Sequence, residues 1–154
     1  TLQAVLAAAA DLVDDAKQRA EAATKDVDAR EREELARLVG APSAKSPPRW
    51  AAAQFKALRK QQETRAKRSL RDHLDRSLLD LMSYYRDVVV VQLGADVDLV
   101  NAELAPQIQD LARSSTPETT IARMDAIATA RERIGANANV LLAVEDLMIS
   151  LKTD

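Results

Sequence analysis

The chain has 154 residues, a net charge of −2, 47% hydrophobic residues and only 3% aromatic ones. It contains no cysteine, one histidine and three glycines, which excludes disulfides, thiolate metal sites, a cysteine nucleophile and a two-histidine metal centre within one chain. High Ala, Leu, Glu, Arg and Asp content with few helix breakers favours an all-α fold, and no sustained apolar/polar alternation suggests strands.

Residues 1–39 are expected to form a long acidic helix or a helix pair. Leu2, Val5, Leu6, Ala9, Leu12, Val13, Ala16, Ala20, Ala23 and Val27 recur at three-four spacing and form one alanine-rich stripe. That stripe suits close packing in a bundle, with a heptad coiled coil as the narrower alternative. A bend is expected in "ATKDVDARE" (23–31), and Gly40 is a C-cap candidate. "GAPSAKSPPR" (40–49) holds three prolines, two serines and a glycine, so 40–48 reads as a linker and Pro47 and Pro48 suit the next helix start.

The second helical region runs from about Arg49 to Leu93. At 100° per residue, Arg49, Lys56, Lys60, Lys67 and Arg71 fall within about 60° of one another and form a basic stripe. Leu74, Leu78, Leu81, Tyr85, Val88 and Gln92 continue nearly the same angle, while Phe55 and Leu58 point elsewhere. A single straight face would thus change from charged to buried. Either the helix breaks near Ser69, or its first half projects or re-packs against something else; the second reading is preferred. The four valines of "DVVVVQL" (87–93) favour strand locally but continue the helical stripe. Gly94 ends this element. A short helix should cover about Ala102 to Arg113, with Pro106 in its first turn. Thr116, Pro117 and Glu118 then form a strong helix start. Ile121, Met124, Ile127, Ala128 and Ile134 are expected on its buried side. "GANAN" (135–139) stops it, and Asn139 caps a last helix whose apolar face is Val140, Leu141, Val144, Leu147, Met148 and Leu151. The sum is a single helical domain, 1–154, with a bundle of five to six helices.

The search for chemistry is negative. There is no Walker-type or dinucleotide-binding glycine pattern. His73 lies among charges in "RDHLDR" and reads as a solvated helix residue. The chain is therefore expected to be non-enzymatic and to need no cofactor or metal. Charge is unevenly spread, with nine Lys/Arg against three Asp/Glu over 49–76, and acidic segments on either side. The basic stripe, aided by Arg59, Arg65 and Arg68, could track phosphates. The plainer reading, an exposed face paired with the acidic first helix, is preferred, so DNA contact is not expected. Tyr84 and Arg86, off the centre of the apolar stripe in "SYYRD", are candidates for a subunit interface, as is Arg123.

The helix "LDRSLLDLMSYYRDVVVVQLG" (74–94), then "LVN" (99–101), a short helix, and "SSTPETTIARMDAIATARERIGANANVLLAVEDLMISL" (114–151) stand in an order that resembles the C-terminal collar domain of bacterial DNA polymerase III clamp-loader subunits. "RWAAAQFKALRKQQETRAKR" (49–68) and the alanine-rich acidic opening look like the actinobacterial delta-prime subunit. The resemblance implies an oligomerisation scaffold that packs its helices against gamma/tau and delta subunits in the cytoplasmic, nucleoid-associated replication machinery. It implies no small-molecule substrate and no membrane. The start at Thr1 suggests a piece of a longer or processed protein, preceded in this family by an ATP-binding-type module and a lid domain. The end shortly after Leu151 favours delta-prime over the longer gamma/tau. The rival readings are a gamma/tau collar domain and the helical ligand-binding and dimerisation domain of a transcription regulator.

Overall fold

The structure, a computed structural model, describes residues 1–152. Among these there are five α-helices and no strand, in keeping with the all-α expectation. They are α1 (Leu2–Leu38), α2 (Ala52–Gln92), α3 (Ala105–Ser114), α4 (Pro117–Gly135) and α5 (Val140–Lys152). Short 3-10 turns at Arg49–Ala51 and Ala102–Leu104 precede α2 and α3. The valine-rich 87–93 segment lies in and just past α2, where burial of a helical stripe overrides local strand propensity. Neither the bend at 23–31 nor the break near Ser69 interrupts the helices; α1 and α2 are continuous through both positions. No helix is long and apolar enough to cross a membrane among the described residues.

Contacts divide the chain into two compact units. One comprises residues 15–73; the other comprises residues 1–14 together with the chain from Leu74 onward. In the 15–73 unit, Ala36, Ala51 and Phe55 form a small buried core, with Leu35, Val39, Ala41 and Ala44 packed against it. The buried positions of α1 here follow the expected stripe through Ala16 and Ala20 and then leave it, because Ala23 and Val27 are exposed. Instead the less exposed face runs from Ala20 through Thr24, Asp28 and Glu31 to Leu35 and Ala36. Its middle is polar because it faces polar groups: Gln62 of α2 donates to the Asp28 carbonyl (3.0 Å) and to a Glu31 carboxylate oxygen (3.0 Å), and accepts from Arg32 (3.3 Å). Helical spacing is kept, but hydrophobicity no longer marks it.

In the other unit, the fully or nearly fully buried apolar side chains are Ala9 of α1, Leu74, Leu78, Tyr85 and Val88 of α2, Ile108 of α3, Ile127, Ala130 and Ile134 of α4, and Ala143, Val144 and Leu147 of α5. Four residues expected on packed faces, Leu2, Leu6, Ile121 and Leu141, are exposed. On α4 the inward position next to Ile121 is taken by Thr120, whose hydroxyl donates to the Thr116 carbonyl (3.0 Å) and so is buried without an orphan donor. On α5 the buried face centres on Ala143, Val144 and Leu147, which turns Leu141 outward. Arg131 of α4 grips Asp75 of α2 through two nitrogens (2.7 and 3.2 Å), and Arg133 pairs with Asp146 of α5.

Three helices end in the same local motif. Gly40, Gly94 and Asn137 all have positive φ (68°, 60° and 64°). In each case the left-handed residue donates three positions back and its successor five positions back, as in Ala41 to Ala36 (2.8 Å), Ala95 to Val90 (3.1 Å) and Ala138 to Arg133 (3.0 Å). In "GANAN" the left-handed position therefore belongs to Asn137, while Gly135 is the last helical residue. Asn139 then caps α5, its side-chain oxygen accepting from the Leu142 amide (3.1 Å). Thr116 caps α4 in the same way, accepting from the Thr119 amide (3.2 Å).

The two residues should respond oppositely to alanine. A Cβ at Gly135 meets nothing within 4 Å, so Gly135→Ala should raise stability by about 0.5 kcal/mol through helix propensity. Asn137→Ala, forced into the left-handed region, should lower it by about 1 kcal/mol. Urea denaturation midpoints check both signs.

Candidate functional site

The sequence-level candidates fall into separate groups. Of the basic stripe, Arg49, Lys56, Lys60 and Lys67 are exposed and Arg71 is half-buried. The face of α2 buried in the same unit carries Phe55, Leu58, Gln62 and Arg65, on the far side of the helix from the stripe. Arg65 is the cation that α1 neutralises. It donates to both Glu31 oxygens (2.8 and 2.6 Å) and also pairs with Asp28. The Arg65 hydrogen bonds, aided by Gln62, hold the Glu31 carboxyl at about 2. The stripe is therefore not paired with the acidic first helix as expected: Arg65, on the other face of α2, makes that pairing, and no ion pair among the described residues involves Arg49, Lys56, Lys60, Lys67 or Arg71.

Tyr84, Arg86 and Arg123 belong to the other unit. Tyr84 packs edge-to-face on Tyr85, with ring centroids 5.7 Å apart. Burial pushes the Tyr84 phenol up, and the nearby Asp110 charge adds to it. Burial also raises Tyr85, against the opposing charge of Arg123. Arg123 is half-buried, and its Nε has no hydrogen-bond partner among the described residues. Arg86 is occupied inside the fold: it donates to the Asp87 carboxylate (2.7 Å) and to the Asp98 carbonyl (3.1 Å).

Asp87 is the residue that hydrophobic patterning misses. It has no exposed surface although it sits beside four valines. Its two oxygens accept from the Val100 amide (3.1 Å), the Asn101 amide (2.7 Å), the Asn101 side chain (2.9 Å) and Arg86. Asn101 donates also to the Ser83 hydroxyl (3.1 Å). Burial alone would raise the Asp87 carboxyl, but these donors outweigh it and hold it at about 2. The arrangement fastens the 94–101 connection to α2 and has no free lone pair directed at a substrate. The "LVN" segment thus has a structural task that its sequence did not disclose. Among the described residues, no group of three or more His, Cys, Asp or Glu is placed to hold a metal ion.

Because the folded-state pKa of Asp87 lies below its ordinary 3.8, the unfolded chain takes up the proton first as pH falls. The stabilisation is complete above about pH 4 and is lost towards about pH 2. Asp87→Asn should cost about 3 kcal/mol at neutral pH, since it places an amide against amide donors. It should also flatten the loss of stability between pH 4 and 2, leaving the share due to Glu31. Urea unfolding across that range measures both effects.

No curated protein and no solved structure matches the chain. A family model does, over residues 54–153, which is well over half of the 154 residues and includes almost all of α2 and every element after it. The matched family is the DNA polymerase III delta subunit, C-terminal domain, and the chain belongs to it.

Proposed function

We propose that this chain is a non-catalytic oligomerisation domain of a clamp-loader subunit, and that within the loader it is the delta-prime subunit. Family membership supports the coarser part of that reading. The observation that carries the scaffold role is the surface of the unit formed by residues 1–14 and the chain from Leu74 onward. It leaves large apolar side chains open: Leu142 is 64% exposed, Ile121 48%, and Ile149 and Leu79 43% each. Their burial against neighbouring subunits would contribute about 25 cal/mol per Å² of apolar surface removed from water. The mechanism needs no chemistry. Packed domains of this kind hold their upstream modules at high effective concentration, so that clamp opening becomes an intramolecular event. The delta-prime assignment is supported by the resemblance of the basic helix and the acidic, alanine-rich opening to that subunit. On this reading the protein works in the cytoplasm, with the replication machinery at the nucleoid.

The test is co-purification. The tagged chain should recover gamma/tau and delta C-terminal domains, and Leu142→Asp with Ile149→Asp should reduce recovery at least about tenfold without loss of helical circular dichroism. Competition separates the subunits: an excess of the chain should displace full-length delta-prime from a reconstituted loader and leave delta in place. Displacement of delta or gamma/tau instead would reassign it, and recovery of no subunit would overturn the scaffold reading. Calorimetry with ATP should show no saturable binding.

A further inference from the structure

We propose that the outward face of α2 between Lys56 and Arg71 is a sequence-independent binding surface for the phosphate backbone of duplex DNA. Three observations carry this. First, the stripe is regular: within α2, Lys56, Lys60, Lys67 and Arg71 recur at steps of four, seven and four, so they stay on one side of the helix, and Arg49 lies in the 3-10 turn that precedes it. Only Glu63 places an acid near that line. Second, the stripe is left open. The α1 acids that reach α2, Asp28 and Glu31, are engaged by Arg65 on the opposite side of that helix. Arg49, Lys56, Lys60 and Lys67 stay exposed, with no ion pair among the described residues. An acidic helix that neutralises one cation of the segment and leaves the aligned ones uncovered creates a line of free positive charge on a chain whose net charge is −2.

Third, the support is continuous. α2 is unbroken from Ala52 to Gln92, and from Lys56 to Arg71 it rises roughly 22 Å. A duplex presents on the order of 13 phosphates over that length, counting both strands. A row of cations along one continuous helix suits a rod of regularly spaced charge. Trp50, the one large aromatic beside the row, is 61% exposed, and one ring is too little for the stacking platform that single strands require. Lysine-dominated contacts give orientation and salt-sensitive affinity and carry no base readout. This proposal stands on the geometry of residues 15–73 and does not depend on the assignment to any one loader subunit.

The experiment is fluorescence anisotropy of a labelled mixed-sequence 20-bp duplex titrated with the whole chain at 50 to 200 mM salt. A matched single strand and vesicles containing phosphatidylserine serve as comparison probes. Binding should weaken steeply with salt. Each stripe lysine removed should reduce the slope of log K against log salt by about 0.9, so Lys56→Gln, Lys60→Gln, Lys67→Gln together should lower affinity at 50 mM salt at least about tenfold. A control with Arg19→Gln, Lys25→Gln and Arg113→Gln removes three exposed cations elsewhere and should bind like the parent chain. Circular dichroism verifies that both variants stay helical. No anisotropy change at 50 mM salt, equal loss in the stripe and control variants, or a stripe that serves vesicles but not the duplex would each overturn the proposal.

Discussion

A carboxylate with no access to water must be surrounded by donors, and Asp87 is such a group. Much of the second unit follows from meeting that requirement. The donors come from Val100, Asn101 and Arg86, so the connection after α2 must double back alongside the helix it has just left. Gly94 supplies the left-handed turn that permits the reversal. The returning segment then delivers the chain to Ala102–Leu104 and α3, whose Ile108 is fully buried. A salt link and three hydrogen bonds at one residue thereby fix where the short helix begins.

The 15–73 unit solves a different problem with the same type of chemistry. Its apolar core is small, consisting of Ala36, Ala51 and Phe55 and a few half-buried neighbours. Polar contact takes over further along, where Arg65 and Gln62 engage Asp28 and Glu31. Such pairs are partly solvated, so they fix register and orientation more than they add stability. The guanidinium of Arg65 reaches both Glu31 oxygens in parallel, a geometry that a lysine cannot reproduce.

The sequence made the helices legible because their signals are local. The Thr116-Pro117 start, the Gly40 and Gly94 stops and the Asn139 cap each rest on a few adjacent residues, and all appear in the structure. The buried line Leu74, Leu78, Tyr85, Val88 was also legible, since apolar residues mark it directly. Ala23 and Val27 misled because the α1 face turns polar midway, and Ile121 misled because a hydroxyl satisfied within its own helix lets Thr120 take the inward position. Asp87 was hidden for the reason that makes it important: a charge in an apolar run looks like an exposed residue until its donors, 13 and 14 positions away, are located.

The locally encoded helix stops bear on how such a chain can change over generations. After Gly40 the connection packs Ala41 and Ala44 against the small core, whereas Lys45, Ser46 and Pro47 are exposed. Residues inserted there would displace no buried side chain, and loop entropy grows only slowly with length. The 94–101 connection has no such freedom, because its far end is bound to a buried carboxylate. Length variation among related chains is therefore expected to collect at 45–47 and to spare 95–101, so that one loop serves as the fold's site of drift while the other keeps a constant length.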